Sequence, residues 1–199
     1  MRSSDLVKIV LQGVLVLGFA SGCLVAGDVP EGAKPMTNQI VAVVNGEPIT
    51  MFDVDQDARA LEEAYGKICH GDELQRKIGA LRKETLRNLI DRRLIIQSFR
   101  SQGGWTPESY LDQQVQKAVK DYYQGDADRL TRALAVYGET LDDFKNTIDD
   151  KAIVAFMTKK NVDDKLILTV PANADKDRSL LSEAWMSSLR KAADIEITW

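Results

Sequence analysis

The chain has 199 residues, with 26 Lys and Arg against 30 Asp and Glu, a formal net charge of −4 and a hydrophobic content of 44%. That supplies enough apolar material for one packed domain of ordinary size. The cations are scattered among acids, which excludes the basic stripe that nucleic acid requires. The two cysteines, Cys23 and Cys69, are too few for a disulfide scaffold, so the fold must rest on its apolar core.

The first segment reads as a targeting signal and not as part of the fold. Arg2 and Lys8 precede an apolar run over residues 9–20, which ends in Ala20-Ser21-Gly22 before Cys23. A basic start, a short apolar core and a small-residue cleavage site make a secretory signal over residues 1–22. The apolar core falls short of the roughly 20 residues that span a membrane. Cys23 has two readings. Ala-Ser-Gly-Cys is similar to a bacterial lipobox, although Ala20 stands where a leucine is expected; acylation of Cys23 would then tether the protein to a membrane surface without spanning it. Ordinary cleavage after Gly22 would instead leave a free thiol, able to pair with Cys69. Residues 23–38, with Gly, Pro, Asp and Lys and little periodicity, read as a flexible tether. The domain is expected over residues 39–199.

The domain opens on an alternating run, Ile40, Val41, Val43 and Val44, that meets Asn45-Gly46, a hairpin turn in which both residues tolerate positive φ. Thr50 followed by Asp53 is a capping-box start for a helix. Val54, Ala58, Leu61 and Tyr65 mark its face, and Gly66 with the polar stretch from Cys69 to Asp72 is expected to end it. A long helix follows over about residues 73–101. Its two apolar stripes, through Ile78, Leu81, Leu89, Ile96 and Phe99 and through Leu86, Ile90 and Leu94, predict burial on more than one side. Gly103-Gly104 is its stop.

Thr106-Pro107-Glu108 predicts the next helix, with Thr106 as N-cap and Pro107 in the first helical position. Its face is Leu111, Val115, Val119 and Tyr122. A short helix after Asp126 carries Leu130, Leu134 and Tyr137, and Gly138 closes it. Thr140 to Asp143 repeats the capping box, and the helix it starts has a stripe through Leu141, Phe144, Ile148, Ala152 and Ala155. Residues 165–170 alternate and meet Pro171, predicting an extended segment. After a polar link over 173–178, a last helix is expected over 178–193 with Leu181, Trp185, Leu189 and Ala192 facing in. The chain then ends in an alternation that places Ile195, Ile197 and Trp199 on one face of a strand. A lone strand must find a ladder partner, so this one is expected to pair with the hairpin at residues 40–50.

No constellation demands enzymatic chemistry. His70 is the only histidine, and its near neighbours Cys69 and Asp72 do not have zinc-site spacing. Gly103-Gly104 serves as a helix stop and not as a phosphate loop, and no serine sits in a nucleophile elbow. The paired acids Asp142-Asp143, Asp149-Asp150 and Asp163-Asp164 fall at helix starts or on solvated faces. No catalytic residue, cofactor or metal is therefore expected. Four apolar residues lie off the main stripes: Ile153 and Met157 on one helix, Tyr110 and Tyr123 on another. Either they pack against a neighbouring helix, or they line an open groove in which flexible Met and amphipathic Tyr would bind extended chains.

Several segments in order resemble the SurA and PrsA family of extracytoplasmic folding factors: the hairpin-cap-helix opening, Leu-Arg-Asn-Leu-Ile-Asp-Arg-Arg-Leu-Ile-Ile-Gln over 86–97, Gly-Gly-Trp-Thr-Pro-Glu over 103–108, Gly-Glu-Thr-Leu-Asp-Asp-Phe over 138–144, Leu-Ile-Leu-Thr-Val-Pro over 166–171, and the closing helix and strand from Trp185 to Ile197. The resemblance implies a mainly α, multi-helix domain of the SurA N-terminal type, distantly similar to the substrate-cradling domain of trigger factor. A small sheet would join its hairpin to its last strand. Family members typically insert a parvulin-type prolyl isomerase domain before the closing helix. Here Pro171 meets that helix within a few residues, far fewer than the roughly 50 a folded domain needs. The resemblance thus implies a chaperone body without the isomerase, binding unfolded segments of exported proteins in the periplasm or at the envelope surface. The alternative is an envelope assembly subunit that holds one folded partner.

Overall fold

The computed structural model describes residues 39–136, 138–166 and 174–199. Tyr137, the signal and tether over 1–38, and residues 167–173 lie outside the described residues. The chain divides into two compact units.

In the first unit, Thr50 caps helix α1, Met51–Ile68, with the reciprocal capping box expected from Thr50 and Asp53. Val54 and Ala58 are its buried face, while Leu61 is half exposed to solvent. The helix runs past Gly66, because a single helical glycine costs only about 1 kcal/mol against alanine; it ends where Cys69 turns extended. Helix α2, Gly71–Ser101, starts on Gly71 at φ 58°. Its Arg82 reaches back to α1, 2.6 Å from Glu62 and 3.1 Å from Asp55. Cys69 is buried with its sulfur 3.0 Å from the Lys77 ammonium, and that contact with the Glu73 carboxylate holds Lys77 well above the ordinary lysine range.

The second unit contains a three-stranded sheet of order β2-β1-β3, built from Ile40–Val44 (β1), Glu47–Thr50 (β2) and Ile195–Ile197 (β3). Asn45 at φ 50° and Gly46 at φ 83° make the turn, the paired positive dihedrals that match strand twist. As the sequence implies, β3 closes antiparallel onto β1, with Ala42 opposite Ile197 and Val44 opposite Ile195. The turn clamps the closure: the Asn45 N–H donates to the Asp194 carbonyl and the Asp194 N–H to Asn45 Oδ1, both at 2.8 Å. Gln97 of α2 donates to the Val44 carbonyl at 3.1 Å and accepts from Asn45 Nδ2 at 2.7 Å. Val41, Ala42 and Val44 are fully buried; Ile197 and Trp199, on the sheet edge, are exposed.

Leu94, Ile95 and Ile96 of α2 are all buried. Three consecutive buried positions cannot share one helix face, so this stretch is enclosed on several sides. A Schellman motif ends the helix, with the Gly103 N–H on the Arg100 carbonyl and the Gly104 N–H on the Phe99 carbonyl. The next helix, α3, is Glu108–Tyr123. It starts one residue later than the sequence implies: Pro107 is its N-cap, without a side-chain cap bond. Helix α4, Ala127–Val136, packs Leu130 and Leu134 against Val119, with Val115, Tyr123 and Phe144 around them.

Helix α5, Leu141–Thr158, has the expected capping box at Thr140. Lys145 ties it to α3 through Glu108 at 2.7 Å and Asp112 at 2.8 Å. It continues through a π turn, Lys159–Asp163, into Asp164–Leu166. Lys165 and Leu166 are therefore helical and not extended; the rest of that expected segment lies outside the described residues. Asn161 Nδ2 donates to the Met157 carbonyl at 2.9 Å, and Val162 is fully buried, which together hold the wide turn in place. Helix α6, Ala174–Ala192, begins four residues before its expected start and buries Met186, with Trp185 and Leu189 half-buried beside it. Arg190 grips Asp91 of α2 with two charge-assisted bonds.

Candidate functional site

The four off-stripe residues do not form one surface. Ile153 and Met157 are 3% and 2% exposed, inside a cluster with Ile95, Ile96 and Met186. For them the packing reading holds and the open-groove reading does not. The stripe drawn through Leu141 and Ala155 is corrected with it, since both are exposed. The physical reason is that α5 serves two neighbours in succession. Phe144 near its start packs beside Val119, Leu130 and Leu134, whereas Ile153 and Met157 near its end pack beside α2 and α6. Tyr123 is half-buried against the first of these clusters, and Tyr110, at 39% exposed, stands apart on α3.

Two exposed aromatic rings, Phe156 and Trp105, stand near the ends of α5 and α2 in sequence. Phe156 is 53% exposed, and its ring meets that of Phe99 edge to face, centroids 5.8 Å apart. Phe99 is half-buried and rests on the Ile95-Ile153-Met157 cluster. Gly104 lies close over the Phe99 ring: a Cβ there would come within 2.5 Å of ring carbon, so any side chain would have to displace the ring. Trp105 follows at once and is 74% exposed. Lys160 Nζ donates to Gln102 Oε1 at 3.2 Å, pinning the end of α5 to the end of α2. Sequence reasoning missed this group. Phe99 reads as core, and Phe156 falls on no stripe. The one available signal is a tryptophan set directly behind a Gly-Gly helix stop.

One polar group nearby is electrostatically distinctive. Burial pushes the Asp150 carboxyl above the ordinary aspartate range, with Asp149 adding to the effect, against the pull of Arg100, Arg92 and Arg93. A carboxyl raised in the folded state destabilises the fold while ionised, and that cost disappears as pH falls through its folded pKa. Asp150→Asn is therefore expected to raise the midpoint of thermal unfolding at neutral pH. The gain should shrink toward about pH 4, near the unfolded aspartate pKa. A gain that grows on acidification would contradict the sign.

Among the described residues no group of three or more His, Cys, Asp and Glu is placed to hold a metal ion, and His70 is exposed. No described helix is long and apolar enough to cross a membrane. Cys23 lies outside the described residues.

The family model of the SurA-like N-terminal domain matches residues 1–157. No curated protein matches the chain. The matched domain is the non-catalytic, chaperone part of such proteins, which supports a chaperone-type role in general. The match covers the hairpin, α1 to α4 and α5 as far as Met157, well over half of the chain, and on that extent the protein belongs to the SurA-like N-terminal domain family.

Proposed function

We propose that the protein is a non-enzymatic extracytoplasmic chaperone that binds unfolded segments of exported or outer-membrane proteins. Membership of the SurA-like N-terminal domain family carries this reading, and the exposed aromatic rings of Trp105 and Phe156 support it. Residues 1–22 serve as the secretory signal, residues 23–38 as a tether, and residues 39–199 as the binding domain. Acylation of Cys23 would place the domain at a membrane surface. Binding needs no nucleotide, metal or prolyl isomerase site. It rests on burying apolar client side chains, at roughly 25 cal/mol per Å² removed from water. Exposed Tyr110 is a further contact for such segments, whereas Ile153 and Met157 support Phe99 from within and Tyr123 packs in the separate cluster of Val119, Leu130 and Leu134.

The test is light scattering from an unfolded outer-membrane protein diluted out of denaturant. Equimolar mature protein is expected to suppress aggregation, with no acceleration of proline isomerisation in a peptide assay. The double variant Phe156→Ser, Trp105→Ser should lose most of the suppression. Its stability should change by no more than about 2 kcal/mol, since it removes one aromatic pair and an exposed ring. Absence of suppression by the natural chain, or catalysis of isomerisation above background, would defeat the reading.

A further inference from the structure

The small sheet has two outer edges, and they differ in what they offer to a further strand. The order β2-β1-β3 leaves β2 and β3 outermost. In β2 the two-residue turn at Asn45-Gly46 sets Glu47 opposite Val44 as a hydrogen-bonded pair, so Pro48 and Thr50 are the positions that face outward. Pro48 has no N–H, and the Thr50 N–H is already given to Asp53 Oδ2 at 2.8 Å. Both outward donors of β2 are thus removed. In β3 the Asp194 carbonyl accepts from Asn45 and the Thr198 N–H donates to Val41, so these alternate positions turn toward β1. Ile195 and Ile197 between them turn their N–H and carbonyl groups outward, where no further strand among the described residues meets them. No proline lies in this last segment, and Ile197 is 57% exposed.

From this we infer that the outer edge of β3 takes up an extended, proline-free segment of an unfolded client as a fourth strand, held by backbone hydrogen bonds to Ile195 and Ile197. The inference rests on the chaperone reading and gives it a mode of binding. A second copy of the chain does not fit the edge. β3 is three residues long, against the roughly 20–30 residues a side of a stable interface. Residues 24–38 of the same chain do not fit it either. They lead into β1 next to Thr198, which bonds Ile40 and Val41, but Gly27, Pro30, Gly32 and Pro35 interrupt them, and such residues do not sustain a ladder. Main-chain bonds tolerate many sequences, and alternate side chains set the remaining preference. Apolar side chains at every second client position would lie beside Ile197, on the face that it shares with Ala42.

The experiment is fluorescence anisotropy with a short labelled peptide of alternating Val and Thr and its counterpart N-methylated at every amide, each titrated with the full mature chain. Methylation keeps the side chains and removes the backbone donors. It is expected to weaken binding about tenfold or more, the size set by two backbone hydrogen bonds. On the protein side, Ile197→Pro removes one outward N–H and leaves the bonds of Asp194 and Thr198 to β1 in place, since proline is accepted on an edge strand. It should weaken the unmethylated peptide about fivefold, and Ile197→Thr, which keeps the N–H, should weaken it less. Circular dichroism melts establish that both variants fold; the methylated peptide decides the matter if the proline variant does not. Equal affinity for the two peptides, or a folded Ile197→Pro that binds as the natural chain does, would overturn the inference. So would a loss as large in Ile197→Thr as in Ile197→Pro, because the side chain would then carry the binding. A concentration-dependent dimer in sedimentation that Ile197→Pro dissolves would also overturn it, by showing a second copy on the edge. If aggregation of an unfolded protein is still suppressed while methylation has no effect, the inference fails and the chaperone reading stands. If suppression is also absent, the chaperone reading fails.

Discussion

Removing residues 194–199 is expected to destabilise the second unit by about 3–5 kcal/mol and to lower its thermal midpoint by roughly 10 °C. The segment supplies β3, paired to β1 from Val44–Ile195 to Ala42–Ile197. It also supplies the Asp194 carbonyl that accepts from Asn45, and Thr198, whose N–H donates to the Val41 carbonyl at 3.0 Å and whose hydroxyl donates to the Ile40 carbonyl at 2.9 Å. Each lost bond costs on the order of 1 kcal/mol. The deletion also bares the edge of β1, whose Val41, Ala42 and Val44 are fully buried in the intact fold; an exposed apolar edge is itself a site for aggregation. Circular dichroism melts of the deleted and intact chains check this. An unchanged midpoint would mean that the closure is ornamental to the fold.

Met157→Ala is expected to cost about 2–5 kcal/mol, the range for truncating a buried aliphatic side chain to alanine. Met157 is 2% exposed and is enclosed by Ile95, Ile96, Ile153 and Met186, which cannot collapse fully onto the space left behind. The neighbouring substitution Phe156→Ala should cost no more than about 1.5 kcal/mol, because its ring is half in solvent and contributes mainly the edge-to-face contact with Phe99. Denaturant melts of the two variants separate core from surface. The pair also bears on function, since client binding should weaken in Phe156→Ala and not in Met157→Ala measured at a temperature where it is folded. The opposite pattern, a stable Met157→Ala that no longer binds, would return Met157 to a binding groove.

What the sequence discloses and what it hides divide along a physical line. The Asn45-Gly46 turn and the capping boxes at Thr50 and Thr140 are legible because they are local: the dihedral tolerance and the hydroxyl-to-amide reach lie within four residues. The closure of β3 onto β1 is legible for a different reason, because an unpaired strand must satisfy its backbone somewhere. The burial of Ile153 and Met157 is not legible. Which face of α5 turns inward changes along its length with the neighbour it meets, and that is decided by tertiary packing. The run of helix through Lys165 and Leu166 was hidden in the same way. Their alternation reads as a strand, but Asn161 and buried Val162 carry the helical path across the π turn. The aromatic edge is the least legible feature. Phe99 and Phe156 are ordinary apolar residues in sequence, and only the meeting of two helix ends sets the exposed Phe156 ring against half-buried Phe99.

The central claim is that this fold recognises unfolded chains and not a folded partner. The most direct measurement is the affinity of the full mature protein for one secreted protein in two forms, reduced and alkylated so that it stays unfolded, and native with its disulfides intact. The account predicts saturable binding of the unfolded form, weakened by Phe156→Ser with Trp105→Ser, and no binding of the native form. Failure to bind unfolded chains, together with recovery of one folded envelope protein in stoichiometric amount, would contradict it and assign the fold to an assembly subunit.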